Sequence, residues 1–547
     1  MNQETWRAVV PQYSNFDDAI NQFPNLPFVD FIELQPRLNR TLSTFVSLTR
    51  FNPLLVINSP DNVFYRSLMV ELLRNRTDMA VEKTESINMT SLLGSYTADE
   101  LGNITVSTQG LLEKANNGYI VISVNLLLAN PASWQHLKAA LMGDYVSPVN
   151  SNPARQAKEI PSNRYNVKLI VMGDRSQIAD LEYVEPDLYH NLALYTEIEQ
   201  DLLLDETTIE QYLGYLRWIT DTYKLPTLTS KAIHRLMIAG ARFTEDQGYM
   251  PADIQWYLSI FEESALSVEN NQFTYEDFDQ TIANRYYRQA YLPQRALSDI
   301  LNGQVIIETD GECVGQVNGL TVVDVAGHPE SYGEPARISC VIHFGDGDIS
   351  DVERKAELGG NLHAKGMMIM QAFVSSALQL DEPLPYSASV VFEQSYSEVD
   401  GDSATLAELC SFVSALSEYP INQQIAVTGA VDQLGRVQAV GGLNEKIEGF
   451  YHVCKHQGLT GSQGVILPKS NLKHLALHTD VVESIQAGEF HIWSVETVDE
   501  AIPIIMGKPF RGDDETSVIS KIAERIENFE RHEHPQGIVE RIKNWFV

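Results

Sequence analysis

The chain has little cysteine, a shortage of basic residues and no long apolar run, and each shortage excludes something. Its four cysteines (Cys313, Cys340, Cys410, Cys454) are widely separated, with no CxxC and no histidines at metal-ligand spacing. That excludes a disulfide framework and a zinc site by spacing, and it fits a reducing cytoplasm. Lys and Arg number 39 against 73 Asp and Glu, a formal net charge of −34. Such a field repels nucleic acid and anionic membrane, so neither is expected as a partner, and solubility is the plain reading of the acidity. No stretch approaches the roughly 18 apolar residues that span a bilayer. Met1-Asn2-Gln3-Glu4-Thr5-Trp6 lacks the basic start and apolar run of a secretory signal, so a soluble cytoplasmic protein is expected. A phosphate-cradling Gly-x-x-x-x-Gly-Lys-Ser/Thr is also missing: the one Gly-Lys pair, Gly507-Lys508, is followed by Pro509.

What is there reads as several domains. With 547 residues and 44% hydrophobic content, the chain exceeds one core, and two to four domains are expected. Leu54-Leu55-Val56-Ile57, Tyr119-Ile120-Val121-Ile122 and Val167 to Val171 are buried-strand candidates, each followed by a polar turn and a helical pattern. That alternation argues for a parallel α/β unit over residues 1–204, N-terminal extension included. Residues 205–300 are helical throughout, with Thr274-Tyr275-Glu276-Asp277 written as a capping box. Residues 301–510 mix strands and helices as an α+β unit. It opens with a hairpin, Val305 to Gly311 returning over Val314 to Val325, and carries another from Ile425-Ala426-Val427-Thr428 to Arg436-Val437-Gln438. Residues 511–547 form a charged helical tail. Its stripes, Ile519, Ile522, Ile526 and Phe529, then Ile538, Ile542 and Trp545, are expected to pack on a neighbour.

Two segments of the third unit carry chemistry. Val399-Asp400-Gly401-Asp402-Ser403-Ala404 puts a serine on a glycine-containing turn before a helix predicted over Ala404 to Leu416. Gly441-Gly442-Leu443-Asn444-Glu445-Lys446 puts a lysine in the first turn of a helix predicted over Asn444 to Lys455. A serine hydroxyl is a poor nucleophile until a base takes its proton. Lysine becomes that base when burial and the positive helix end both disfavour its charged form. Free amides at the start of the serine's helix would stabilise an oxyanion. Each residue also has a plain reading, since serine before a helix is a common cap and lysine in a first turn a solvated charge. Spacing does not separate the two readings.

Three blocks do more. Glu357-Leu358-Gly359-Gly360-Asn361-Leu362-His363-Ala364-Lys365-Gly366, the serine segment, and Val427-Thr428-Gly429-Ala430-Val431-Asp432-Gln433-Leu434-Gly435 running on to Gly441-Gly442-Leu443-Asn444-Glu445-Lys446-Ile447-Glu448-Gly449 together resemble the proteolytic domain of Lon peptidases. They stand in the family's order over roughly Gly303 to Gly507. The resemblance implies a serine endopeptidase with Ser403 as nucleophile and Lys446 as general base, cutting unfolded or damaged polypeptides through an acyl-enzyme. It also implies a homo-oligomeric ring, by likeness a hexamer. Asp402 before the serine matches the B-type branch. Thr428 is expected to hydrogen-bond Lys446, and Asp400 to accept from it or to order the turn. His363 is expected to be structural, because the family uses no histidine as base.

Lon enzymes resemble a fusion of this domain with an AAA+ motor, and the first two units have that layout. The expected fold is multidomain α/β plus α+β: a degenerate AAA+ α/β domain, a small all-helical AAA+ lid and a Lon-type α+β proteolytic domain. The motor's working parts are missing. After Leu54 to Ile57 the chain reads Asn58-Ser59-Pro60-Asp61-Asn62-Val63, without glycine or lysine. Tyr119 to Ile122 runs into Ser123-Val124-Asn125 instead of an acidic pair, while Val167 to Val171 leads to Met172-Gly173-Asp174-Arg175 like a sensor strand. Each missing part is worth on the order of 10³-fold in phosphoryl transfer. No cofactor or metal is therefore required by these residues; ATP is implied by resemblance alone, and its hydrolysis is not expected. Two alternatives stay open: an ATP-gated protease with a non-standard nucleotide site, and a non-cleaving ring scaffold for unfolded chains.

Overall fold

The computed structural model describes residues 2–49, 53–345, 349–355, 360–378, 385–394, 401–512 and 515–533. Five strands, β1 (Leu54–Asn58), β2 (Val81–Lys83), β3 (Gly118–Ser123), β4 (Val167–Gly173) and β5 (Ala193–Glu197), form a parallel sheet in the order β2-β3-β4-β1-β5. The central strands are apolar without interruption because both faces are covered. Leu55, Ile57, Val121 and Met172 face one core, while Leu54, Val56, Ile122 and Val171 face the other. The first of these cores is continuous with the helices α2 (Ile209–Thr222), α3 (Ser230–Thr244), α4 (Ile254–Ala265) and α5 (Tyr275–Gln289), and with apolar residues of the N-terminal segment. The predicted capping box is present: Asp277 N donates to Thr274 Oγ1 at 3.3 Å and Thr274 N to Asp277 Oδ2 at 2.8 Å. A further helix, α6 (Tyr291–Leu301), leads into the third unit.

That unit is built on seven strands: β6 (Gln316–Val323), β7 (Tyr332–Phe344), β8 (Ile349–Asp351), β9 (Tyr386–Glu393), β10 (Ile425–Val427), β11 (Gln463–Pro468) and β12 (Phe490–Val495), ordered β8-β9-β7-β6-β10-β11-β12. The β6–β7 and β7–β9 pairs are antiparallel and the rest parallel, so the sheet is mixed. The molecule thus joins a parallel α/β unit to a mixed-sheet α+β unit, the layout expected from the sequence. The start of the chain returns to cover β12: Glu4 N bonds Ile492 O at 2.8 Å and Ser494 N bonds Asn2 O at 3.0 Å. An edge strand left open would invite pairing with another chain, and residues 2–4 remove that opening.

Three expectations are corrected. Val305 to Asp310 is not a ladder strand; side chains meet its backbone instead, with Gln394 Oε1 accepting from Ile306 N at 2.8 Å and Asn318 Nδ2 donating to Glu308 O at 2.7 Å. The second hairpin is shorter than expected. β10 pairs in parallel with β6 and β11, and Ala430–Val431 rather than Ile425 to Thr428 pairs with Val437–Gln438. The tail helix α9 (Val518–Glu533) packs on its own proteolytic core through Ile522 and Ile526 rather than on a neighbour. Its Arg525 donates to Ala415 O and Leu416 O at 2.7 and 2.9 Å, carbonyls in the last turn of the helix α7 (Thr405–Ser417). Ile538, Ile542 and Trp545 lie outside the described residues.

Candidate active site

Ser403 sits in the turn that enters α7. It is not the cap of that helix: Ala404 is, with no side-chain capping bond, while Thr405 Oγ1 donates to Asp402 O at 2.6 Å and tightens the turn. The Ser403 carbonyl is fixed by Gly429 N at 2.8 Å and Thr428 Oγ1 at 3.3 Å. Thr428, fully buried, thus meets the serine's backbone, whereas the sequence reading aimed its hydroxyl at Lys446. Thr405 N bonds Asp402 O and Leu406 N bonds Gly429 O, so these two amides are taken and do not supply the free helix start expected for an oxyanion. Asp400 lies outside the described residues.

Lys446 belongs to the helix α8 (Leu443–Gln457), which starts on Gly442 at φ 64°, a left-handed conformation that glycine adopts without strain. The helix lies unusually close to β7. A Cβ built on Gly449 would stand 2.1 Å from Gly333 O, and one on Gly333 would stand 1.9 Å from Glu445 O. This contact between two glycines and two backbones sets the depth of the lysine. Gly449→Ala is therefore expected to lower the unfolding free energy by about 1–3 kcal/mol, as overpacking does. Thermal unfolding checks this, and an unchanged midpoint would contradict the close approach.

Across the gap between these elements, Lys446 Nζ donates to Ser403 Oγ at 3.2 Å. Lys446 is 4% exposed, far from the solvated charge of the plain reading. Burial lowers its pKa to about 8, opposed by the neighbouring Glu445 carboxylate, which favours the charged form. The pair opens into a cavity of about 960 Å³. His363, the remaining candidate base in the sequence, is buried elsewhere in the domain, its Nδ1 3.5 Å from Glu408 and its ring edge-on to Phe392. Among the described residues, no cluster of His, Cys, Asp and Glu suited to a metal ion occurs.

At the carboxyl ends of β1, β3 and β4, where open α/β sheets bind ligands, the protein places its own anion. The Asp61 carboxylate accepts from Ser123 Oγ at 2.9 Å, Asn125 Nδ2 at 3.1 Å and Gln177 Nε2 at 3.1 Å, and pairs with Arg66. Arg66, on the following helix α1 (Val63–Arg74), also holds Glu85 at 2.6 Å. The Asn62 side chain accepts from Tyr65 N at 3.0 Å and so caps α1. Ser123 and Asn125, which stand where a motor's acidic pair is expected, are here donors to Asp61. A triphosphate in this crevice would meet a carboxylate where a motor has glycine amides and lysine, so these residues do not fit the nucleotide that the fold implies.

Comparison with known proteins agrees with both halves. Residues 394–508 match the model of the Lon protease (S16) C-terminal proteolytic domain, and residues 81–198 that of a LonB-like AAA domain. A protein of Escherichia coli (strain K12), "Putative Lon protease homolog", is 38% identical over 99% of this chain and 98% of its own length. A Haemophilus influenzae protein of the same name is 36% identical over 86% of this chain and 80% of its own. An "Archaeal Lon protease" of Methanocaldococcus jannaschii is 30% identical over 38% of this chain and 30% of its own length. Among the described residues no helix is long and apolar enough to cross a membrane. With likeness of this extent running nearly end to end, the chain belongs to the Lon protease family.

Proposed function

We propose that this protein is a serine endopeptidase that hydrolyses unfolded or damaged polypeptides through Ser403 and Lys446, with an AAA-like domain that no longer hydrolyses ATP. The observation that carries the reading is the 3.2 Å approach of a buried Lys446 Nζ to Ser403 Oγ. Lys446 in its neutral form takes the Ser403 proton as Oγ attacks the scissile carbonyl carbon, giving a tetrahedral oxyanion. Collapse of that species breaks the C–N bond, and the lysine returns the proton to the leaving amine. The ester left on Ser403 is then cleaved by water, with Lys446 taking the water's proton and passing it to Oγ. Burial matters here because an amine with an ordinary pKa near 10.4 would be protonated at neutral pH in all but about one molecule in a few thousand. By family likeness the chain works as a ring, a hexamer in this reading, in which enclosed sites admit extended chains. Four free cysteines suit work in the cytoplasm.

The self-filled crevice around Asp61 supports independence from ATP. Casein digestion by the intact protein is expected to proceed at the same rate, within about twofold, with and without ATP and Mg²⁺, and with no phosphate released. A several-fold stimulation accompanied by phosphate release would favour an ATP-gated enzyme. No digestion under either condition would favour a scaffold for unfolded chains.

A further inference from the structure

The helix that carries Lys446 is gripped from outside its own domain. Arg242, in the last turn of α3, donates to Glu448 Oε1 and Oε2 at 2.6 and 2.8 Å and to Glu445 Oε1 at 3.3 Å, and it also reaches Ala476 O at 3.1 Å. A planar guanidinium can hold two carboxylates and a carbonyl at once because its five N–H groups are fixed in a fork. Glu448 is buried and is further held by His478, whose backbone N donates to Glu448 Oε1 at 2.9 Å. The loop after α3 continues the contact. Gln247 N bonds Lys473 O at 2.8 Å, Gln247 Nε2 bonds Leu475 O at 2.7 Å, and Asp246 pairs with Lys473 at 2.9 Å. From α5, the Tyr286 ring meets the His478 ring in a tilted contact, centroids 5.0 Å apart.

We propose that Arg242 is an interdomain positioning residue, through which the helical lid sets the placement of the base helix and neutralises the carboxylate next to Lys446. This rests on the peptidase reading above and adds to it a route by which the lid governs the dyad without nucleotide. Glu445 precedes Lys446 in the chain and is the charge that opposes the effect of burial on it. While Arg242 holds Glu445, that opposition is weakened and Lys446 gives up its proton more readily. If the lid withdraws, Glu445 faces Lys446 without compensation, and a smaller share of the lysine is neutral at any given pH. The other charged groups lining the cavity are Glu334 and Arg337 on β7, Asp402 beside Ser403, Glu393 on β9, Asp324 and Glu330 between β6 and β7, and Glu245 after α3. Glu393 is engaged by Ser339 Oγ at 2.7 Å and Asp324 by Ser331. These groups act in wild type and variant alike, so a difference between the two reports the contacts of Arg242, and Glu445→Gln separates the Glu445 contact from those to Glu448 and Ala476.

The test uses the intact chain, with Arg242→Gln and with Arg242→Lys. The latter keeps a cation for buried Glu448 but lacks the fork that also reaches Glu445, so it guards against a simple folding failure. Casein cleavage is followed from pH 6.5 to 10. Both variants are expected to move the acid limb of kcat/KM up by about half to one pH unit while approaching the wild-type plateau at high pH. Glu445→Gln added to Arg242→Lys is expected to return the limb to the wild-type position or below. A limb that stays in place while the plateau falls would mean a merely structural contact and overturn the proposal. A second measurement needs no cleavage: the pH dependence of Lys446 acylation by acetic anhydride, read by mass spectrometry. The same upward displacement in both variants supports the latch even if the chain cuts nothing, in which case the peptidase reading alone fails; coincident titrations of wild type and variants reject the latch.

Discussion

Ser403→Ala is expected to abolish casein digestion while leaving the protein folded. The fall in kcat/KM should be on the order of 10⁴-fold or more, because in the proposed mechanism nucleophile and base act as a unit and the remaining site cannot form an ester. The fold should tolerate the change. Ser403 Oγ caps no helix, and the bonds that order the turn run through the Ser403 carbonyl, Thr405 Oγ1 and the Gly429 amide, all of which the alanine variant keeps. Thermal unfolding within about 1 kcal/mol of wild type, as for most changes that break no cap or core contact, would show that lost cleavage reflects lost chemistry. Residual cleavage above about a tenth of wild type would remove Ser403 from the mechanism. Threonine at the same position keeps a hydroxyl but adds a methyl group, and a small recovery there would point to the hydroxyl itself.

The central strands β1, β3 and β4 were legible because both faces are buried and the sequence is apolar without interruption. β2 and β5 were not, being the two edges of the sheet, where Val81-Glu82-Lys83 and Ala193 to Glu197 need no such run. The serine and lysine were legible as types at helix starts, and family likeness paired them. Their depth was not, because it depends on Gly333 and Gly449 meeting across more than 100 positions. Thr428 is an instructive miss: the strand end was placed correctly, yet a rotamer decides which neighbour a hydroxyl reaches. Asp61 read as part of a strand-breaking turn, and its partners Ser123, Asn125 and Gln177 lie 62, 64 and 116 residues away. Arg242 carries no local signal at all. A cation in the last turn of a helix is explained by the helix dipole, and nothing near it announces a carboxylate 203 residues on.

The second large effect concerns stability, and its sign follows from the same burial that suits Lys446 to the proposed role of base. Folding lowers the lysine from an ordinary 10.5 to about 8, so between these values the unfolded chain binds a proton that the folded one does not. Stability therefore rises with pH across that window. Below about pH 8 both states are protonated, and the folded protein bears the full penalty of a buried ammonium, about 3 kcal/mol for the displacement. Lys446→Met keeps the length and apolar body of the side chain without the charge. At pH 7 it is expected to be inactive yet more stable than wild type by roughly 2–3 kcal/mol, an advantage that shrinks to about half by pH 9.5 as the wild-type lysine sheds its penalty. Denaturant unfolding of both proteins at the two pH values measures this difference. A methionine variant that is less stable at pH 7, or a gap that does not close as pH rises, would mean that the amine is solvated and titrates normally. Wild-type kcat/KM should rise through about pH 8 for the same reason, since the neutral amine is the working form. Keeping a destabilising lysine in a buried position is the trade expected where activity needs a strained group, and the stability gained on removing it would be a readout of the base that does not depend on any substrate.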